Sequence, residues 1–190
     1  IWRVDVGRVP LYLLDAERSE NAIVDRWISS RLYVGDRETR LAQYALLGLG
    51  GAMALRAMGF DPSVIHLNEG HAALAPLPLV EEAVRSGMTL DAALDSVRQR
   101  TVFTTHTPVA AGNESYSLAE VQGVLAGLPE RLGTDWAHLQ ALGRVHPTDA
   151  NEPLGITQTA LKLSSAANGV SRRHGETARA MWRPMLPGRS

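Results

Sequence analysis

The sequence predicts an α/β fold, a mostly parallel sheet with helices on both faces. Three observations predict it. Short apolar, β-branched runs recur between longer segments with helical spacing, in the order β-α-α-β-α-α-β-α-α-α-β-α. The two strongest runs, Val64-Ile65-His66-Leu67-Asn68 and Thr101-Val102-Phe103-Thr104-Thr105, have strand length. Each ends beside a turn and a histidine, His71 and His106, and the weaker run Gly169-Val170-Ser171 ends near His174. Ligands of open α/β sheets bind outside the carboxyl ends of the strands. The stretch from Val64 to His71 therefore forms one wall of the expected cleft.

Taken in order, residues 1 to 16 are an extended pair. Ile1, Val4 and Val6 alternate loosely, and Val9-Pro10-Leu11-Tyr12-Leu13-Leu14 is a continuous apolar run, expected as a strand buried on both faces. Ser19-Glu20-Asn21 opens a helix whose apolar face is Ile23, Trp27, Ile28 and Leu32. Tyr33-Val34-Gly35 is a break, and Asp36 is the expected N-cap of a long helix from Arg37 to Met58. Gly48, Gly50 and Gly51 interrupt that helix. No strand precedes them directly, so they are assigned to close helix packing or a kink rather than to a phosphate loop. Gly59-Phe60-Asp61-Pro62 stops the helix. After His71 one helical turn, a kink at Pro76 and Pro78 and a resumed helix from Leu79 to Ser86 are expected. Thr89 caps a helix over Leu90 to Gln99, and residues 107 to 116 are loop. Helices follow near Ser117 to Leu125 and Asp135 to Leu142, then an exposed linker over 143 to 153. A helix over Ile156 to Ala167, the strand Gly169 to Ser171 and a helix over His174 to Trp182 complete the pattern, and Pro184 and Pro187-Gly188 end it.

With 45% hydrophobic and 21% charged residues, the 190-residue chain has an ordinary globular balance and can bury one sizeable core. A net charge of −1 gives no field that would favour nucleic acid or a membrane surface. The absence of cysteine removes disulfides, thiolate catalysis and Cys-ligated metals, and fits a cytoplasmic protein. No apolar run approaches the roughly 18 residues of a membrane span. Lys162 is the single lysine. A chain that opens inside a strand suggests part of something longer.

The chemistry concentrates at the strand ends. His66, Glu69 and His71 make a His-x-x-Glu-x-His pattern, but zinc motifs on a helix need histidines at i and i+4, so no metal site is assigned. His66 is read as a satisfied core or interface histidine. For Glu69 and His71 a ligand-contacting role and a structural capping role both stand. His106 closes a Thr-rich strand, where it either donates to a sugar hydroxyl or phosphate or anchors the following loop. No Gly-x-Ser-x-Gly elbow supports a hydrolase. Asp36, Arg37, Glu38 and Arg40 form a charge run whose default is a solvated helix face. Glu176 suits the start of a helix, and Arg172 and Arg173 either meet an anion or face solvent, with solvent the leading reading. Trp27, Trp136 and Trp182 are expected in the core, and Trp2 is left unassigned.

Together these motifs resemble a known family. His66-Leu67-Asn68-Glu69-Gly70-His71-Ala72-Ala73, Val102-Phe103-Thr104-Thr105-His106-Thr107-Pro108-Val109 and Val170-Ser171-Arg172-Arg173-His174-Gly175-Glu176 resemble the bacterial branch of the α-glucan phosphorylases. Arg26-Trp27-Ile28 and Leu32-Tyr33 with Gly35-Asp36-Arg37-Glu38-Thr39-Arg40 extend the likeness, which covers essentially all of the chain. The resemblance implies part of one Rossmann-like N-terminal domain, residues 1 to 190, of a glycosyltransferase-B architecture. It implies transfer of a terminal glucosyl unit of an α-1,4-glucan to inorganic phosphate, giving glucose 1-phosphate with retention. It places His106 at the transferred sugar as the catalytic residue, Glu69 and His71 in the pocket wall, and Arg40 on the phosphate side. Pyridoxal phosphate is implied for the whole protein, on a C-terminal domain expected downstream of Ser190, with no cofactor held by this chain. A glycine-rich substrate loop is expected upstream of Ile1, so the chain is expected to be a fragment, inactive alone. A homodimer of the whole protein is a further expectation. Two alternatives are a nucleotide-sugar glycosyltransferase of the same architecture and a non-catalytic glucan-binding module. Gln43-Tyr44, where the family carries Gln-Glu, and Asn113-Glu114-Ser115-Tyr116 depart from the family pattern.

Overall fold

The structure, a computed structural model, describes residues 1–32 and 34–185. Tyr33 of the expected break and the Pro187-Gly188 stop lie outside the described residues. A parallel three-stranded sheet flanked by helices organises the chain, as the predicted fold class requires. Its strands are β3 (Ile65–Asn68), β4 (Thr101–Thr105) and β7 (Ala166–Gly169), in the order β3-β4-β7. One sheet face carries Leu67 opposite Phe103, both buried, and closure of this face over the core is worth about 1.5–3 kcal/mol for each such side chain. The other face carries His66, Asn68, Thr104 and Asn168 in one register, an alternation set by the period of two. That polar row ends where β4 gives way to His106.

The first pair of strands departs from expectation. β1 (Trp2–Val6) and β2 (Val9–Leu13) form an antiparallel hairpin of their own and do not join the parallel sheet. Their register places Trp2, Val4, Val6, Val9, Leu11 and Leu13 on one face. Those six side chains stay exposed, so the run from Val9 is not a doubly buried strand. The apparent continuity came from Pro10 and Tyr12, which share the opposite face with Arg3 and Asp5. The helix expected after Asn21 shrinks to α1 (Ile23–Arg26), with Ile23, Trp27 and Leu32 exposed. Trp27 is therefore not a core residue, whereas Trp182 is buried in the core and Trp136 packs against it. Trp2 is exposed and donates its indole N–H to Asp15 at 3.0 Å.

The long helix forms with its glycines inside it. α2 (Arg37–Ala45) begins at Asp36, whose carboxylate accepts the Thr39 N–H at 2.7 Å, as predicted. It passes through a π-helical turn, Leu46–Gly50, into α3 (Gly51–Ala57). A Cβ on Gly48 would lie 2.9 Å from the Leu74 Cβ and 3.0 Å from the Ala75 nitrogen. Close packing, as expected, is what the glycine serves. Past β3, a 3₁₀ turn at Gly70–Ala72 leads to α4 (Leu77–Arg85), which accommodates Pro78 in its first turn. α5 (Leu90–Gln99), capped by Thr89, returns the chain to β4.

Beyond β4 lie a short strand β5 (Ser115–Tyr116) and α6 (Leu118–Val124), closed by a Ser117/Glu120 capping box. α7 (Leu128–Leu132), which the sequence reading missed, is a five-residue helix set between Gly127 and Gly133, both left-handed. α8 (Trp136–Ala141) follows. The expected linker is exposed from His146 to Asn151 but buried at Gly143 and Arg144. Arg144 donates to the Glu152 carbonyl at 2.7 Å and the Ala150 carbonyl at 3.2 Å, which closes the loop on itself. β6 (Leu154–Gly155) pairs antiparallel with β5, and α9 (Ile156–Lys162) ends five residues before the predicted boundary at Ala167. The last strand correspondingly starts at Ala166 rather than Gly169. Alanine is a poor strand former, and pairing along β4 overrides that preference. α10 (Arg172–Trp182) is capped by Ser171.

Candidate active site

β3 and β4 run parallel, so Asn68-Glu69 and His106-Thr107 leave the sheet side by side. Glu69 has φ 67°, the one left-handed non-glycine among the described residues. Such a backbone costs about 1–3 kcal/mol and persists where surrounding contacts determine it. Here they do. Its N–H donates to the Thr104 carbonyl at 2.9 Å. Its carboxylate accepts the Gly70 N–H at 3.0 Å, the His106 N–H at 2.7 Å and the Thr107 hydroxyl at 3.0 Å. Bonds to an ionised acceptor are the stronger kind, so together they offset the strain. Beside them the His106 Nε2 lies 2.7 Å from the Asn68 Oδ1.

A second cluster joins α2 to the turn after β3. Arg40, one face of the charge run, is turned inward, with a side chain only 15% exposed. Its guanidinium lies 3.1 Å from the His71 Nε2 and 3.3 Å from the Glu114 carboxylate, and stacks 4.8 Å above the Tyr44 ring. The default reading of this run as a solvated face thus fails at Arg40, because Glu114 from the loop after β4 supplies its counter-charge. Tyr44 meets His71 edge-on at 5.5 Å and Tyr116 at 6.4 Å. Tyr116 donates its hydroxyl to Glu114 at 2.5 Å.

The electrostatics follow from these contacts. Burial, and then the Arg40 charge, hold the His71 ring below its ordinary pKa, so it is neutral near pH 7. An arginine only donates, so the His71 Nε2 accepts and its Nδ1 carries the proton. Burial works against ionisation of Glu114, but hydrogen bonds from Tyr116 and Tyr44 and the charge of Arg40 prevail and lower its pKa. Burial and the neighbouring carboxylate raise the pKa values of Tyr44 and Tyr116, keeping both phenols protonated. At the edge of the cluster Arg37 grips Glu120 at 2.6 Å and, with the Ser117 cap, brings that carboxyl down to about 2.

The predicted site residues therefore fall into two bonded pairs. Glu69 holds the His106 backbone, and Arg40 holds the His71 ring. Arg40 and His71 line a cavity of about 1030 Å³ between the β2 end, α2, α3 and the β3 edge. Glu69 and His106 stand outside its lining, and Asn68, which lines the cavity and also bonds His106, links the two pairs. His66 is exposed rather than a core residue, but it is satisfied. Thr104 gives its one hydroxyl proton to the Asn168 Oδ1 at 2.9 Å, so it accepts from the His66 Nε2 at 2.8 Å. Sequence reasoning missed Asn68, Tyr44 and Glu114 as participants. Asn68 was legible as a polar residue at a strand's carboxyl end, but nothing local marks Glu114, whose partner is 74 positions away. His174 is half-buried and lies against Gly169, where a Cβ would fall 2.6 Å from its Nδ1. Both of its ring nitrogens are buried without a hydrogen-bond partner among the described residues.

Lys162 points elsewhere. Its Nζ donates to the Ala141 carbonyl at 2.7 Å, and burial lowers its pKa, so it ties α9 to α8. A pyridoxal phosphate needs a lysine facing a phosphate cradle, and the only lysine does not fit that role. Among the described residues no group of three or more His, Asp or Glu is placed to hold a metal ion, and no helix is long and apolar enough to cross a membrane.

Comparison with known proteins decides the family. Residues 1–179 match the model of the starch synthase catalytic domain. The chain belongs to this glycosyltransferase family. This glycosyltransferase chain is also 40% identical, over 98% of its length, to the maltodextrin phosphorylase of Thermococcus litoralis. It is 35% identical over 96% of its length to the glycogen phosphorylase of Aquifex aeolicus, and 39% over 99% to that of Mycobacterium tuberculosis. The resemblance to the α-glucan phosphorylases is thereby shown. The chain spans only 22%, 26% and 23% of those three relatives.

Proposed function

We propose that this glycosyltransferase chain is the part of an α-1,4-glucan phosphorylase that forms one wall of its sugar site. The reaction is transfer of a terminal glucosyl unit of glycogen or maltodextrin to inorganic phosphate, giving glucose 1-phosphate with retention. The observation that carries the reading is the 35–40% identity to maltodextrin and glycogen phosphorylases along nearly the whole chain. The geometry agrees with it. His106 sits at the carboxyl end of the central strand, its backbone and ring both held, where the sugar is expected. His71 and Arg40 offer a neutral imidazole and a fixed cation on the adjoining wall, and the family resemblance assigns the cation to the phosphate side. Glu69 stands outside the cavity lining and acts through the His106 backbone it holds, with three of its acceptor positions already taken.

Pyridoxal phosphate would supply acid–base chemistry through its own phosphate in the whole enzyme. Lys162 does not fit it, so we assign the cofactor, and the facing wall of the cleft, to residues beyond these 190. The setting of such an enzyme is cytoplasmic, and a homodimer of the whole protein is part of the proposal. The isolated chain, incubated with glycogen, phosphate and pyridoxal phosphate, is expected to release no glucose 1-phosphate. Detectable release would overturn the fragment reading. In the full-length enzyme carrying this sequence, His106→Ala is expected to lower kcat by at least about 100-fold, the order of one lost transition-state contact, at unchanged folded yield. An unchanged kcat removes the catalytic assignment.

A second reading is favoured by the family match itself. The matching model is that of the starch synthase catalytic domain and spans residues 1–179, in line with a nucleotide-sugar glycosyltransferase of the same architecture. Turnover of ADP-glucose by the full-length enzyme, with none from glucan and phosphate, selects it.

A further inference from the structure

We propose that Asn68 is a positioning residue that locks His106 in a single tautomer and leaves its Nδ1 as the atom presented to ligand. The inference deepens the reading of His106 as the residue that meets the sugar. Asn68 is the last residue of β3 and lies in register with Thr104, on the face that leads to His106. Its Oδ1 stands 2.7 Å from the His106 Nε2. An amide oxygen only accepts, so Nε2 carries the proton. In the neutral ring, Nδ1 then has the bare lone pair. No hydrogen bond is made at Nδ1 among the described residues, and His106 is exposed. The ring thus keeps one defined atom free for a hydroxyl.

Two further contacts make the arrangement rigid. Glu69, the next residue after Asn68, accepts the His106 N–H at 2.7 Å, so consecutive residues hold the ring and the backbone of one histidine. Glu69 can do so because its left-handed φ of 67° turns its carboxylate toward the end of β4 while Asn68 completes β3. The mirrored logic applies at His71, where the Arg40 donor forces the opposite tautomer. The two histidines of the site therefore present the same nitrogen in opposite states, a protonated Nδ1 at His71 and a bare Nδ1 at His106.

The test reads the tautomer directly. In ¹⁵N-histidine-labelled chain, whose six histidines are assigned with His106→Gln, the bare and protonated ring nitrogens resonate far apart. His106 is expected to show a protonated Nε2 and a bare Nδ1. Asn68→Ala should let both tautomers exchange, so the separation of the two signals shrinks by a third or more. Asn68→Asp keeps an acceptor at the same place and should hold the protonated Nε2. A protonated Nδ1 in the wild type overturns the proposal. So does an unchanged separation in Asn68→Ala, even if stability falls. Should Asn68→Ala not fold, the near-isosteric Asn68→Leu, which offers no acceptor, decides, and an unchanged separation there overturns it. None of these outcomes depends on catalysis, so failure of the phosphorylase reading and failure of this one are told apart.

Discussion

At Glu69 a strained backbone and a well-filled carboxylate oppose each other, and substitutions separate them. Glu69→Ala keeps the strain and removes three bonds to an ionised acceptor, each worth up to about 1.5–3 kcal/mol. The expected loss is about 2–4 kcal/mol in urea unfolding, since these bonds share one partly exposed group. Glu69→Gly loses the same bonds but relaxes the φ of 67°, so it should be about 1 kcal/mol more stable than the alanine variant. His71 gives a pH prediction. Burial and Arg40 lower its folded pKa beneath the roughly 6.5 of an unfolded histidine. The unfolded chain then takes up the proton first, so this contribution is full above about pH 6.5 and is lost as pH falls through the folded value. Urea midpoints measured from pH 8 to 5 should fall more steeply for the wild type than for His71→Gln. Both residues were conspicuous in the sequence by type and place. Their roles were not, because a carboxylate at a strand end can meet a ligand or a neighbouring strand, and only the position of β4 decides.

Helical glycines show the same division one level up. In a helix interior Gly→Ala normally gains about 0.5–1 kcal/mol. Gly123 in α6 has nothing within 4 Å of an added Cβ, so Gly123→Ala should gain that amount. At Gly48, whose Cβ would meet Leu74 at 2.9 Å, overpacking of about 1–3 kcal/mol should win and Gly48→Ala should lower Tm. A Tm pair with the opposite order would contradict the packing role of the π-helical turn. The capped helices α2 at Asp36 and α5 at Thr89 were legible because a cap is a local rule written in a few adjacent residues. α1 was overextended and α7 was missed. Amphipathic spacing does not say whether a surface exists to receive the apolar face, and a five-residue helix between glycines carries too little periodicity to see.

For the molecule as a whole, protection should follow the sheet order. β4 is flanked on both edges and holds the fully buried Phe103, whereas the β1–β2 hairpin keeps its apolar face exposed. A two-stranded hairpin alone is marginal in water. Amide exchange is expected to be slowest at Val102–Thr105 and faster by orders of magnitude at Trp2–Leu13, and equal protection would refute this ranking. The sequence by itself determined the α/β class, the strands at Val64–Asn68 and Thr101–Thr105, most helix starts and the residue types at the strand ends. It also carried the likeness to the glucan phosphorylases. These rest on short-range periodicity, capping and motif order. Only the tertiary structure decided that Val9–Leu13 stands outside the parallel sheet, that Arg40 turns inward to Glu114, and that Asn68 and Glu69 together hold His106. Those outcomes depend on which distant groups meet. Partners such as Arg40 and Glu114, 74 residues apart, leave no local trace in either neighbourhood, because side-chain pairing across a fold is set by strand register and packing.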